Sequence, residues 1–122
     1  MIKEINSLVL AYLGDTIYED YVREFLIKKG IANVNDLQRE SIKYSSAKAQ
    51  CGFVKHLIEN NFFTQDELDI IRRARNHKGV SHPKNCDIVT YKNATGLEAL
   101  IGYLKLEGKE DRIKEIMENI LK

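Results

Sequence analysis

Tryptophan is absent from this sequence, proline occurs once, at Pro83, and cysteine twice, at Cys51 and Cys86. With one proline and seven glycines in 122 residues, turn-forming positions are few. That scarcity favours helices with few interruptions over a strand-and-turn architecture. Two cysteines far apart make no disulfide framework; in a chain rich in Lys and Glu they read as reduced thiols and a cytoplasmic protein. No apolar run approaches the roughly 18 residues of a membrane span. The start, MIKEINSLVLAYLGD, places a basic residue before an apolar run. Asp15 breaks that run and no small-residue cleavage pattern follows, which argues against a secretory leader. There is no Cys-x-x-Cys, and His56, His77 and His82 lack partners at zinc-like spacing, so a zinc site is not expected. Gly-rich phosphate loops, Gly-x-Ser-x-Gly and dinucleotide fingerprints are missing too.

What is present fits a single all-α domain spanning the 122 residues, with 43% hydrophobic and 30% charged residues. The net charge of +1 conceals an asymmetry. Arg72, Arg73, Arg75, Lys78, Lys84 and Lys92 crowd one segment in which Asp87 is the only acid. The first two dozen residues lean the other way, through Glu4, Asp15, Glu19, Asp20 and Glu24. This is the layout of an enzyme that grips phosphates in one place and holds a cation in another.

Periodicity and caps predict six helices. The first runs from about Ile5 to Lys29, apolar nearly all round in its first half, and stops at Gly30. A second starts at Asn35 or Asp36 and ends near Lys43; a third opens at Ser45 or Ser46 and carries Phe53, Val54, Leu57 and Ile58. Phe62 and Phe63 pack a connector. Thr64 with Glu67 has capping-box spacing and opens a fourth helix that ends near Asn76. The segment from there to Tyr91 shows no sustained period and is the one long loop, a feature usually functional or disordered. The last two helices are Asn93 to about Leu106 and Lys109 to Leu121, divided by Gly108.

Two carboxylates stand out. Asp15 is the only charged residue from Ser7 to Tyr18, and Glu98 the only one from Asn93 to Leu104. Each lies in an otherwise apolar helix near a glycine, Gly14 beside Asp15 and Gly102 one turn after Glu98. A glycine inside a helix costs about 1 kcal/mol relative to alanine, so something is expected to approach closely there. A carboxylate in such surroundings must be paired, protonated or bound to a cation. One reading has each acid capping a neighbouring helix or meeting an arginine. In the other, the helices cross at their glycines and Asp15 and Glu98 converge on Mg²⁺ or Mn²⁺, with Glu19 one turn beyond Asp15 as a supplementary acid. Such a cation suits phosphodiester hydrolysis.

The basic segment Arg72 to Asn85 mixes cations with amides. Arg72, Arg75, Asn76, Lys78, His82, Lys84 and Asn85 supply donors for phosphates and 2′-hydroxyls, the groups by which double-stranded RNA is mostly recognised. Lys43, Lys48 and Gln50 extend that expected surface. A solvated charge run is the alternative.

LAYLGDTIYE (Leu10 to Glu19) resembles the ribonuclease III signature, and LEALIGYLKLEG (Leu97 to Gly108) resembles that family's second motif. The intervening RARNHKG, HPKN and TYKNAT resemble the Mini-ribonuclease III branch, a stand-alone catalytic domain without a double-stranded RNA-binding domain. The resemblance covers essentially the whole chain. It implies the all-α ribonuclease III endonuclease fold and a homodimer whose valley cradles an RNA duplex with one active site on each strand. It further implies Mg²⁺-dependent hydrolysis to 5′-phosphate and 3′-hydroxyl ends, and maturation of the large-subunit ribosomal RNA precursor. Asp15 and Glu98 take the places of the signature Asp and the second-motif Glu, as catalytic and metal-binding residues. Two acids of the family pattern are missing, at Ala11 and Thr95. A catalytically inactive RNA-binding module of the same fold is therefore the alternative.

Overall fold

In a computed structural model that describes residues 2–78 and 86–122, a 3₁₀ turn at Ile2–Glu4 precedes six helices. These are α1 (Ser7–Lys28), α2 (Val34–Ser45), α3 (Ala47–Glu59), α4 (Gln65–Arg75), α5 (Ile88–Leu106) and α6 (Glu110–Ile120). The boundaries follow local chemistry. Asn6, Ser46 and Thr64 cap α1, α3 and α4 with side-chain oxygens that accept backbone N–H groups, and Thr64 and Glu67 close a reciprocal capping box. Gly30 (φ 95°) and Gly108 (φ 76°) end α1 and α5 in the left-handed region where glycine is unstrained.

Two starts differ from the sequence expectation. Asn33, not Asn35 or Asp36, caps α2, accepting from the Asn35 and Asp36 N–H groups at 2.8 and 3.3 Å. Helix α5 begins at Ile88, five residues before Asn93, because Asp87 accepts from the Thr90 N–H at 2.9 Å. The β-branched and aromatic run Ile88-Val89-Thr90-Tyr91 carries no amphipathic period, so this extra turn rests on its cap. The connector between α4 and α5 is correspondingly shorter.

Helix α5 is the centre of the fold. From Asn93 to Leu104 every residue except Glu98 is buried, as expected of a helix apolar all round. Helices α1, α3 and α4 pack against it most extensively. Helix α6 adds Ile113, Ile116, Met117 and Ile120 to the core, leaving its charged face outside. The first half of α1 is less enclosed than its apolarity implies: Val9 and Tyr12 are 56% and 83% exposed.

One buried ion pair ties α4 to α6. Arg112 donates to both oxygens of Glu67, at 2.7 and 2.8 Å, and to the Phe62 carbonyl at 2.9 Å. Its guanidinium also lies 4.3 Å from the Phe62 ring centroid. Burial pushes the Glu67 carboxyl upward, yet the bonds from Arg112 and the Thr64 backbone hold it below its ordinary value. Arg112→Ala strands that charge and is expected to cost about 3–5 kcal/mol, measured as a lower urea midpoint at pH 7. A depressed carboxylate pKa contributes stability above the unfolded value and loses it as pH falls through the folded value. The difference between wild type and variant should therefore shrink in acid, and a constant difference would contradict the pairing.

Candidate active site

Helices α1 and α5 cross backbone against backbone. A Cβ added to Gly14 would lie 1.7 Å from the Glu98 carbonyl oxygen, and one added to Gly102 would lie 2.0 Å from the Leu10 carbonyl oxygen. Only hydrogen at both positions permits this approach. The crossing brings together the residues beside each glycine, Asp15 and Glu98, whose carboxyl groups come within hydrogen-bonding reach of each other.

The two acids differ in exposure. Glu98 is half-buried, whereas Asp15 is exposed. The sequence-based picture of two equally enclosed acids is corrected for Asp15. Leu10, Ala11, Gly14, Tyr18, Val22 and Leu26 form the buried stripe of α1, and Asp15 stands just off it. Burial, then the hydrogen bond and negative charge of Asp15, push the Glu98 carboxyl up to about 9, against an opposing bond from Gln50. Two carboxylates this close do not both ionise readily without a counter-charge. Among the described residues neither acid forms an ion pair or caps a helix.

Gln50 and Tyr18 complete the surroundings. Gln50 is 2% exposed, and its Nε2 donates to Glu98 Oε2 and to the Ser45 carbonyl, each at 3.4 Å. This corrects its expected place on an RNA-facing surface: Gln50 lies on the buried stripe of α3 with Cys51, Val54 and Leu57. The signal was an amide at i−4 and i−7 from apolar core positions. Tyr18, fully buried beneath the pair, donates its hydroxyl to the Tyr44 carbonyl at 2.5 Å. Burial and the nearby charges of Glu98 and Glu19 raise the Tyr18 phenol above the usual tyrosine range. Glu19 is thus electrostatically within reach of the pair, but its carboxylate is engaged by Arg23 at 3.4 Å.

The donor set suits Mg²⁺ or Mn²⁺. Hard carboxylate oxygens are the right ligands, and Mg²⁺ commonly takes one or two protein carboxylates while keeping water and substrate phosphates. Among the described residues no group of three or more His, Cys, Asp or Glu offers a closed metal cage. A pair already strained by shared negative charge is the arrangement a cation relieves.

The ribonuclease III domain family matches residues 8–109, a span that holds both carboxylates and their crossing helices. The chain belongs to the ribonuclease III family. It is 40% identical to Mini-ribonuclease 3 of Staphylococcus aureus over 98% of this chain and 90% of that protein. Mini-ribonuclease 3 of Brevibacillus brevis is 47% identical over 93% of this chain and 83% of its own length. A crystal structure of a protein from Fusobacterium nucleatum superposes with a TM-score of 0.87 at 32% identity, covering 97% of this chain and 94% of that one. The family makes the chain an endoribonuclease, and its all-α fold is as expected.

At the two positions where the family pattern carries further acids, Ala11 is buried in the core and Thr95 donates its hydroxyl to the Tyr91 carbonyl at 2.9 Å. The basic residues fall at the end of α4. Arg72 is exposed and pairs with Asp69 at 3.4 Å, Arg75 is partly buried, Asn76 is the C-cap and Lys78 is exposed. Arginines in a last helical turn also favour the helix dipole. Arg73 has a different task, donating to the Lys3 carbonyl. His82, Lys84 and Asn85 lie outside the described residues. Lys43 is paired with Glu40 at 3.0 Å. Lys48 is exposed beside a groove of about 680 Å³ lined by Ile42, Phe53 and Gly52. No helix among the described residues is long and apolar enough to cross a membrane.

Proposed function

We propose that this chain is a cytoplasmic homodimer that hydrolyses phosphodiester bonds of double-stranded RNA with Mg²⁺, and that it matures the large-subunit ribosomal RNA precursor. The observation that carries the chemistry is the convergence of Asp15 and Glu98 at the Gly14–Gly102 crossing. Asp15 and Glu98 are the metal-binding, catalytic carboxylates. When bound there, a divalent cation supplies positive charge to the scissile phosphate and makes water more acidic. Asp15 is exposed and therefore open to substrate, while Glu98 accepts a hydrogen bond from buried Gln50. With both carboxyls ionised, Asp15 and Glu98 would present a doubly charged set of oxygen ligands to the cation. Glu19 adds negative charge nearby, and Arg72, Arg75, Asn76, Lys78, His82, Lys84, Asn85 and Lys48 serve as RNA contacts. Val9 and Tyr12, exposed on α1 within two turns of Asp15, are the apolar surface for the second copy.

The decisive experiment incubates wild type with duplex RNA in Mg²⁺, in Mn²⁺ and in EDTA. Cleavage in the metals and not in EDTA is expected. Duplex binding without cleavage under either metal would favour the inactive-module reading that Ala11 and Thr95 prompt.

The basic residues make a separate prediction. Replacing Arg75 and Lys78 together by Ala should weaken RNA binding in EDTA and reduce its salt slope by about one to two charges. Thermal melting should stay within about 0.5 kcal/mol of wild type for the exposed Lys78, with any larger loss traced to partly buried Arg75. Unchanged affinity and salt slope would remove the α4 terminus from the RNA interface.

A further inference from the structure

The end of α2 meets the active-site pair through one buried side chain. Helix α2 closes at Ser45, and α3 begins two residues later, capped by Ser46, whose hydroxyl accepts from the Ala49 N–H at 3.1 Å. The last carbonyls of α2 have no partner within their own helix. Two buried donors reach them from elsewhere: the Tyr18 hydroxyl of α1 meets the Tyr44 carbonyl, and Gln50 Nε2 of α3 meets the Ser45 carbonyl. The Ser45 carbonyl can only accept, so it fixes which end of the Gln50 amide is the NH₂ group. The second hydrogen of that NH₂ is then directed at Glu98 Oε2.

A carboxylate that swings about its own side-chain bonds makes a poor ligand. Glu98 is the half-buried member of the pair, its neighbours Leu97 and Ala99 are fully buried, and Gln50 Nε2 donates to one of its carboxylate oxygens. A donor on one carboxylate oxygen leaves the other free and aimed, which is how partners behind a ligand orient metal sites. Among the described residues no group of three or more acids, histidines or cysteines gathers as a metal cage, so more of the geometry rests on what stands behind Glu98.

We propose that Gln50 is a positioning residue that holds the Glu98 carboxylate in its metal-binding orientation, with the Ser45 carbonyl as its anchor. The inference rests on the reading of Asp15 and Glu98 as a divalent-metal site. Gln50 touches neither RNA nor cation; it acts through Glu98.

Its test compares wild type with Gln50→Met, which keeps the length and removes the donor. Three quantities are measured: Mn²⁺ binding to the RNA-free protein by electron paramagnetic resonance, the Mg²⁺ concentration for half-maximal cleavage, and duplex-RNA binding in EDTA. The expected result is Mn²⁺ affinity about 10- to 100-fold weaker, the Mg²⁺ midpoint raised by a similar factor, and unchanged RNA binding in EDTA. Cleavage should recover towards the wild-type rate at saturating Mg²⁺, a pattern that a merely structural role does not produce. Should Gln50→Met fail to fold, Gln50→Asn keeps the site polar while withdrawing the amide by one methylene, and the same weakening is expected. Unchanged Mn²⁺ affinity and Mg²⁺ midpoint would overturn the proposal. Loss of RNA binding in EDTA alongside metal binding would also overturn it, by making Gln50 a fold determinant only. Wild type that neither binds Mn²⁺ nor cleaves would instead bring down the metal-site reading, and this inference with it.

Discussion

Asp15→Asn is expected to reduce duplex-RNA cleavage about 10³-fold, since a catalytic cation supplies several kcal/mol and each 1.36 kcal/mol is a factor of ten. The substitution keeps the side chain's shape and removes its charge, leaving Glu98 as the one carboxylate at the crossing. The same change should alter stability without metal, and here the direction differs. In wild type the Glu98 carboxyl is pushed up to about 9 by burial and by Asp15. A carboxyl with a raised folded-state pKa binds its proton more tightly folded than unfolded. Its contribution is fully present below the ordinary carboxylate value and is lost as pH rises towards 9. Asp15→Asn removes the negative charge behind part of that shift, so the melting temperature in EDTA should fall less steeply with pH than in wild type. At the alkaline end the inactive variant should be the more stable protein. Cleavage near the wild-type rate would overturn the assignment of Asp15, and an unchanged pH slope would show that Asp15 and Glu98 are not electrically coupled.

Local signals carried most of the fold. The Thr64–Glu67 capping box, the Ser46 cap and the glycines at 30 and 108 lie within a few residues of the ends they mark. Where such a signal is thin, as at Asp87, α5 starts five residues before the Asn93 that periodicity indicates. The active-site pair was legible for a different reason. Interior glycines beside lone acids in apolar helices cost stability, and the crossing at Gly14 and Gly102 accounts for that cost. What escaped were consequences of packing between distant residues. Gln50 meets Glu98 from 48 residues away and Arg112 meets Glu67 from 45, and nothing in either neighbourhood names the partner. The exposure of Asp15 escaped likewise, because α1 is apolar on more sides than the core covers, as Val9 and Tyr12 demonstrate.

Among the glycines of the described residues, Gly14 is the one where an added methyl should do most damage. Its new Cβ would fall 1.7 Å from the Glu98 carbonyl oxygen, 2.6 Å from the carbonyl carbon and 3.0 Å from the Gly102 nitrogen. All three are backbone atoms of a buried helix, with no flexible side-chain end to yield. Relief therefore requires α1 and α5 to separate along their main contact, exposing core residues such as Leu10, Tyr18 and Leu100. A loss of about 3 kcal/mol or more is expected, at or beyond the upper end of ordinary overpacking, and a marginally stable domain has little to spare. Any folded fraction should cleave RNA poorly, because separating the helices also separates Asp15 from Glu98. Gly52→Ala is the matched control. Gly52 lies inside α3 with nothing within 4 Å of an added Cβ. Only helix propensity and chain entropy change there, so a gain of about 0.5–1 kcal/mol is expected. Urea midpoints of the two variants should thus move in opposite directions from wild type. A Gly14→Ala protein as stable as wild type would mean that the helices do not meet backbone to backbone, and the convergence of the two carboxylates would lose its structural basis.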